Sequence, residues 1–152
     1  MRNCYFDPYI FKKFVDTCVD EMYPMEKGVA IFDFQASFHI YDGRLSRRQI
    51  KHIIEQRKSE GKPKIEIKNL FYDIPETIMH ADFEMPNTNL RYPGSIMRLK
   101  AFNTSRDGVI VILDKKTNQA RDIITAFSRS SERISTMKKK LDASAAGETP
   151  RP

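Results

Sequence analysis

Metal centres and phosphate-cradling loops leave recognisable marks in a sequence, and this one has little of either. Cysteine occurs twice, at Cys4 and Cys18, and neither stands at metal-ligand spacing from another thiol or imidazole. Two free thiols in a cytosolic chain are the expectation, with a disulfide as the open alternative. The six glycines are scattered singly, so no nucleotide-binding glycine loop is present, and neither an HExxH helix nor a GxSxG elbow occurs. No apolar run approaches the roughly 20 residues of a membrane span. The N-terminal MRNCYFDPY lacks the charged-then-apolar layout of a signal peptide, so a cytoplasmic location is expected. Together these absences narrow any chemistry to acid–base catalysis without metal or cofactor, or to none.

What is present is a chain of 152 residues, 40% hydrophobic and 30% charged, sized for one soluble domain with flexible ends. The net charge of +6 is uneven: between Arg44 and Lys64 eight Lys or Arg face only Glu55 and Glu60. That excess favours a polyanionic partner, nucleic acid first; solubility or an acidic protein partner also fits.

Asp7-Pro8 predicts a helix start, with Asp as N-cap and Pro at the first helical position. Ile10, Phe14, Cys18 and Met22, flanked by Phe11, Val15 and Val19, then repeat at helical spacing to about Tyr23-Pro24. Val29–Tyr41 alternates, with Ala30, Phe32, Phe34, Ala36, Phe38 and Ile40 on one face and Asp33, Gln35, Ser37, His39 and Tyr41 on the other. A strand with a packed face and a polar face is expected there; an end near Gln35 is the alternative. Asp42-Gly43 turns the chain, and Ser46 with Gln49 forms a capping box for a helix over Arg47–Lys58, with Ile50, Ile53 and Ile54 inward. Ile65–Lys68 alternates as a short edge strand, Pro75–Met79 suggests a turn of helix, and Pro86–Pro93 reads as a loop long enough to approach a ligand.

Ser95–Ser128 holds three short apolar runs separated by Ser105–Gly108 and Lys115–Asn118, the pattern of an antiparallel meander. In the first run Ile96, Arg98, Lys100 and Phe102 share a face, and two cations there need anions or solvent. Glu66 and Asp122 are the carboxylates considered for them. Ser131–Leu141 predicts a short terminal helix with Ile134, Met137 and Leu141 inward, and Ala143–Pro152 reads as a disordered tail. The expected fold is α+β. N-terminal helices pack on a small, mainly antiparallel sheet that ends in a three-stranded meander and a short C-terminal helix, in one domain over residues 1–142.

Four short motifs then align with a known pattern: His39-Ile40 followed by Arg44, Ile74-Pro75-Glu76-Thr77-Ile78, Arg98-x-Lys100, and Ile123-Ile124-Thr125-Ala126-Phe127. Over roughly Val29–Phe127 the chain resembles the superfamily of small nucleases that joins barnase, EndoU, the tRNase colicins and RelE-like toxins, closest to its phage- and mobile-element-associated branch. It departs from that branch in its second histidine, which usually follows the first closely; here the candidate, His52, lies inside a helix.

The resemblance implies a metal-independent endoribonuclease, a toxin or mobile-element effector that cleaves structured RNA such as tRNA by acid–base transesterification, with an acidic antitoxin or immunity protein as a further partner. It implies that His39, Arg98 and Lys100 converge on the scissile phosphate, with Thr125 or Ser128 as hydroxyl donor. His80, beside Asp82 and Glu84, is a second acid–base candidate. Arg44, Arg47, Arg48 and Lys51 would hold nucleic acid near the start of a helix. Histidine suits both proton roles because it titrates near neutral pH. The alternative is a non-catalytic basic regulator that binds nucleic acid or protein on the same scaffold.

Overall fold

The computed structural model describes residues 7–22, 37–102 and 106–145. Asp7 caps helix α1 (Pro8–Met22): its Oδ1 accepts from the backbone N–H of Tyr9 at 2.9 Å and of Ile10 at 3.2 Å. Phe11, Phe14, Val15, Cys18 and Val19 form the buried stripe, at the three-and-four spacing of one helix face. Ile10, expected in that stripe, lies just off the seam and is exposed.

Strand β1 (Ser37–Ile40) follows the expected alternation: Phe38 and Ile40 turn inward while Ser37 and His39 are exposed. Phe38 meets the rings of Phe11 and Phe14 edge-on, each at 5.2 Å between centroids. Positions 29–36 of that segment lie outside the described residues. The turn is Tyr41-Asp42, with Tyr41 at φ 57°, and Gly43, expected in the turn, instead opens a second strand that was not expected, β2 (Gly43–Ser46), antiparallel to β1. Gly43 is closely packed there: an added Cβ would stand 3.2 Å from Ile78 Cδ1 and 3.3 Å from the Ile40 carbonyl.

Helix α2 (Arg47–Ser59) starts at the predicted cap, where the Gln49 N–H donates to Ser46 Oγ. Its inward stripe holds Ile50, Ile53 and Ile54, and also Arg47 and Arg57, which are buried rather than solvent-facing. The expected edge strand at Ile65–Lys68 does not form. Those residues belong to the first turns of helix α3 (Lys64–Met79), because Ile67, Leu70, Phe71, Ile74 and Ile78 bury together at helical spacing, and that outweighs four residues of alternation. Pro75 lies inside this helix, where it removes one backbone hydrogen bond without ending the element.

The segment after α3 supplies a strand absent from the expectation, β3 (Phe83–Pro86). It precedes β4 (Ile96–Lys100), β5 (Gly108–Leu113) and β6 (Arg121–Arg129). The β3–β6 run is an antiparallel meander, and β2 joins β6 in parallel through Gly43–Arg121 and Arg44–Asp122, giving the order β1-β2-β6-β5-β4-β3. Asn118 and Gln119, both at positive φ, make the tight turn before β6. Helix α4 (Ser131–Ala145) runs past the boundary expected at residue 142.

The fold is therefore α+β, with four helices and a six-stranded, mostly antiparallel sheet among the described residues. The main core lies between α1, α2 and α3 and one sheet face; a smaller cluster of Leu99, Ile110 and Ile134 seats α4 on the other. Beyond Asp122, α2 lies along the outer edge of β6: Arg57 Nη1 donates to the Ala126 carbonyl at 2.7 Å, and Thr125 Oγ1 donates to Gln56 Oε1 at 2.6 Å. The Arg57 side chain thus satisfies one carbonyl of a strand edge, and the Thr125–Gln56 bond ties the helix to the same strand. No described helix is long and apolar enough to cross a membrane.

Candidate functional site

The two cations on β4 find anions, but not those considered from the sequence. Arg98, nine-tenths buried, donates through Nη1 and Nη2 to the two carboxylate oxygens of Asp42 and through Nε to Glu84 at 3.0 Å. Lys100 Nζ donates to the His80 carbonyl at 3.0 Å and stands 3.7 Å from Asp82 Oδ1. The turn after β1, the link from α3 to β3 and β3 itself supply these groups in place of Glu66 and Asp122, because β3 lies beside β4 and the β1–β2 turn folds toward the end of α3. Burial pushes the Asp42 carboxyl up, yet the hydrogen bonds and charge of Arg98 outweigh it and hold the group below the usual carboxylate range. Reciprocally, hydrogen bonding to Asp42 holds the Arg98 guanidinium well above its ordinary value. The knot ties two histidine-bearing segments together: Asp42 lies three residues after His39, and the Ile78 carbonyl, two residues before His80, stands 3.4 Å from Arg98 Nη1.

His39 itself is exposed on β1, with Arg44 directly opposite on β2. Directly paired residues project from the same face with Cβ atoms roughly 4.5–5.5 Å apart. Arg44 Nε donates to Asp122 Oδ1 at 2.5 Å, which holds the guanidinium in place and raises its pKa. An exposed imidazole, a fixed guanidinium and a carboxylate thus occupy the sheet face turned away from the main core. From there the chain enters α2, where Arg48, Lys51 and His52 are exposed and, with Arg47 and Glu55, line a shallow depression.

Not every expected residue joins this group. Thr125 lies three residues, about 10 Å of strand, beyond Asp122 and is engaged by Gln56; Ser128 lies about 20 Å along β6. Ser128 lines a separate cleft of about 260 Å³ between the C-terminal end of α2, the start of α3 and the ends of β5 and β6. The cleft holds Arg57, Asp73, Arg106 and Arg129, none of which was singled out from the sequence. Asp73 pairs with Arg106, yet its carboxyl is pushed above the usual range by burial. Desolvation lowers the Arg57 guanidinium, and Arg129 nearby adds to that effect. Spacing carried a signal for two of the four. Arg57 follows Ile50 by seven residues and Ile54 by three, and Asp73 follows Leu70 by three, so both continue an apolar stripe. Arg106 and Arg129 carry no such pattern.

Among the described residues no group of three or more His, Cys, Asp or Glu is set to hold a metal ion. Comparisons with protein families, with curated proteins and with solved structures found no match.

Proposed function

We propose that this protein binds RNA along the β1–β2 hairpin and the exposed face of α2 and cleaves it without a metal, as a small ribonuclease of the toxin or mobile-element kind. The observation that carries the reading is the pairing of exposed His39 with Arg44 across the hairpin, immediately before the exposed cations Arg48 and Lys51 of α2. In that reading His39 takes the proton of a ribose 2′-hydroxyl as it attacks the adjacent phosphate. Arg44, braced by Asp122, faces the charge that grows on the phosphorus oxygens. The leaving 5′-oxygen needs a second proton carrier; His80 and His52 are the two candidates. Arg48 and Lys51 hold the backbone in register, and structured RNA such as tRNA suits a surface that reads shape and phosphate.

Arg98 and Lys100 take no part in phosphate binding in this proposal, since carboxylates already hold both. That same observation favours a second reading, a basic module that binds RNA, or an acidic antitoxin-like protein, without turnover. Incubation of the purified chain with total RNA in EDTA separates the two. Cleavage that falls by about 10²–10⁴-fold in His39→Ala, with RNA affinity retained, supports the nuclease. Binding without cleavage leaves the module; neither binding nor cleavage overturns both RNA readings.

A further inference from the structure

The cleft at the C-terminal end of α2 contains a half-used guanidinium. Arg57 is 7% exposed, its Nη1 is held by the Ala126 carbonyl and its Nη2 by Glu60 at 3.0 Å. Its buried Nε has no partner among the described residues. A buried donor left unsatisfied is costly and rare in native folds. Nε and Nη2 form one edge of the rigid guanidinium fork, which fits two adjacent acceptors. Glu60 meets only half of that edge, and its side chain is 48% exposed, so an incoming group can displace it.

The other lining residues indicate what kind of group enters. Four cations in the cleft are balanced by four carboxylates: Glu60, Glu66, Asp73 and Asp107. A bare phosphate or carboxylate would meet those four as like charges. A neutral flat group with acceptors on one edge and donors on the other would not. Flat surfaces are also at hand: the Arg129 guanidinium lies 4.5 Å from the centroid of Phe127, and that of Arg106 lies 4.2 Å from the centroid of Phe102. Unpaired RNA bases are held by stacking on aromatic and guanidinium planes together with edge hydrogen bonds.

We infer that this cleft is an anchoring pocket for one unpaired guanine base of the RNA, remote from His39. Guanine presents N7 and O6 as adjacent acceptors to the Arg57 fork, and N1–H and the N2 amino group as donors to carboxylates on other walls, Glu66 of α3 and Asp107 before β5. Adenine places an amino donor beside N7, where it would oppose Arg57, and cytosine and uracil carry their polar groups on a single edge. The thirteen residues of α2 put its ends about 20 Å apart, which separates the pocket at one end from the exposed Arg48 and Lys51 at the other. The biological ligand rests on the RNA reading; the pocket's preference for guanine does not.

The test uses the full chain, ¹⁵N-labelled, titrated separately with GMP, AMP, CMP and UMP while the Arg57 Nε–Hε resonance is followed. GMP should shift that resonance and bind about tenfold or more tightly than the other three. Arg57→Lys, which keeps the charge and removes the fork, should lose that margin. If that variant fails to fold, the exposed pair Glu66→Ala and Asp107→Ala, which removes both acceptors, should remove the margin instead. Equal affinity for all four nucleotides, no saturable binding, or an unmoved Arg57 signal overturns the pocket. RNA binding or cleavage without a response to GMP would overturn the pocket and leave the proposed function standing; a response to GMP without any RNA binding would do the reverse.

Discussion

Removing the Arg98 guanidinium leaves Asp42 in the β1–β2 turn with its largest source of charge compensation gone. Asp42 has only 17% of its side chain exposed. Breaking one partner out of a buried pair is strongly destabilising because the survivor stays desolvated. Arg98→Met should therefore lose about 3 kcal/mol of unfolding free energy at neutral pH, measured by urea denaturation. The sign with pH follows from Asp42. Its folded pKa lies below the ordinary 3.8, so its contribution is present above that value and is lost as pH falls through the folded pKa. In the Met variant burial still raises the Asp42 carboxyl while the hydrogen bonds and charge of Arg98 no longer oppose it, so it stands higher than in the wild type. The gap between wild type and variant should thus narrow as pH falls below about 4. A gap that stays constant to pH 3 would remove Asp42 as the partner that matters. Lys100, half-buried and shared between a carbonyl and Asp82, should cost less to replace.

At the scale of elements, α2 lines a surface depression at its start and a cleft at its far end, and it also braces the sheet. Its start is fixed by Ser46, its buried face by three isoleucines, and its far end by Arg57 on the edge of β6. Ser46→Ala removes the oxygen that satisfies the Gln49 N–H and should cost about 1 kcal/mol in thermal or chemical denaturation. Because β2 leads directly into this cap, the same change should also loosen the hairpin that carries His39, read as faster amide exchange over Phe38–Leu45 than elsewhere in the sheet. Uniform protection across β1, β2 and β5 in that variant would show that cap and hairpin are independent. Helix α3 shows how local signals can compete. Its first turns alternate as a strand would and its last carry a proline, yet five buried side chains at helical spacing hold it as one element.

At the scale of the whole molecule, the net charge of +6 is a poor guide to where a polyanion would bind until the ion pairs are subtracted. Of the eight cations between Arg44 and Lys64, Arg44, Arg57 and Lys64 pair with Asp122, Glu60 and Asp20, and Arg47 is buried. Arg48 and Lys51 stand exposed together on the first turns of α2. If they contact phosphates, Arg48→Ala with Lys51→Ala should lower the slope of log affinity for single-stranded RNA against log salt by about 1.4, at about 0.7 per contact. An unchanged slope would move the RNA surface off α2. The double variant should unfold at the wild-type denaturant concentration, since exposed lysine and arginine contribute little to stability.

The sequence by itself determined the parts that depend on neighbours in the chain. The Asp7-Pro8 start, the Ser46 cap, the β4–β6 runs and the inward faces of β1 and α4 all follow from residues a few positions apart, where sterics and periodicity act directly. His39 was also legible, because alternation puts it on the polar face; that Arg44 stands opposite it was not, since strand β2 appears only in the folded chain. Tertiary structure decided the partners. Arg98 is 56 residues from Asp42, Arg57 is 69 from the Ala126 carbonyl, and Arg106 is 33 from Asp73. A charge on a strand face looks the same in sequence whether it meets solvent, phosphate or a carboxylate from another element; only burial and distance distinguish these. The strand β3 was hidden for a similar reason, since a four-residue edge strand ending in proline is held by its neighbour β4 and not by its own propensity. The basic surface became two places only once the chain was folded: an exposed face at one end of α2, and a charge-balanced cleft around Arg57 at the other.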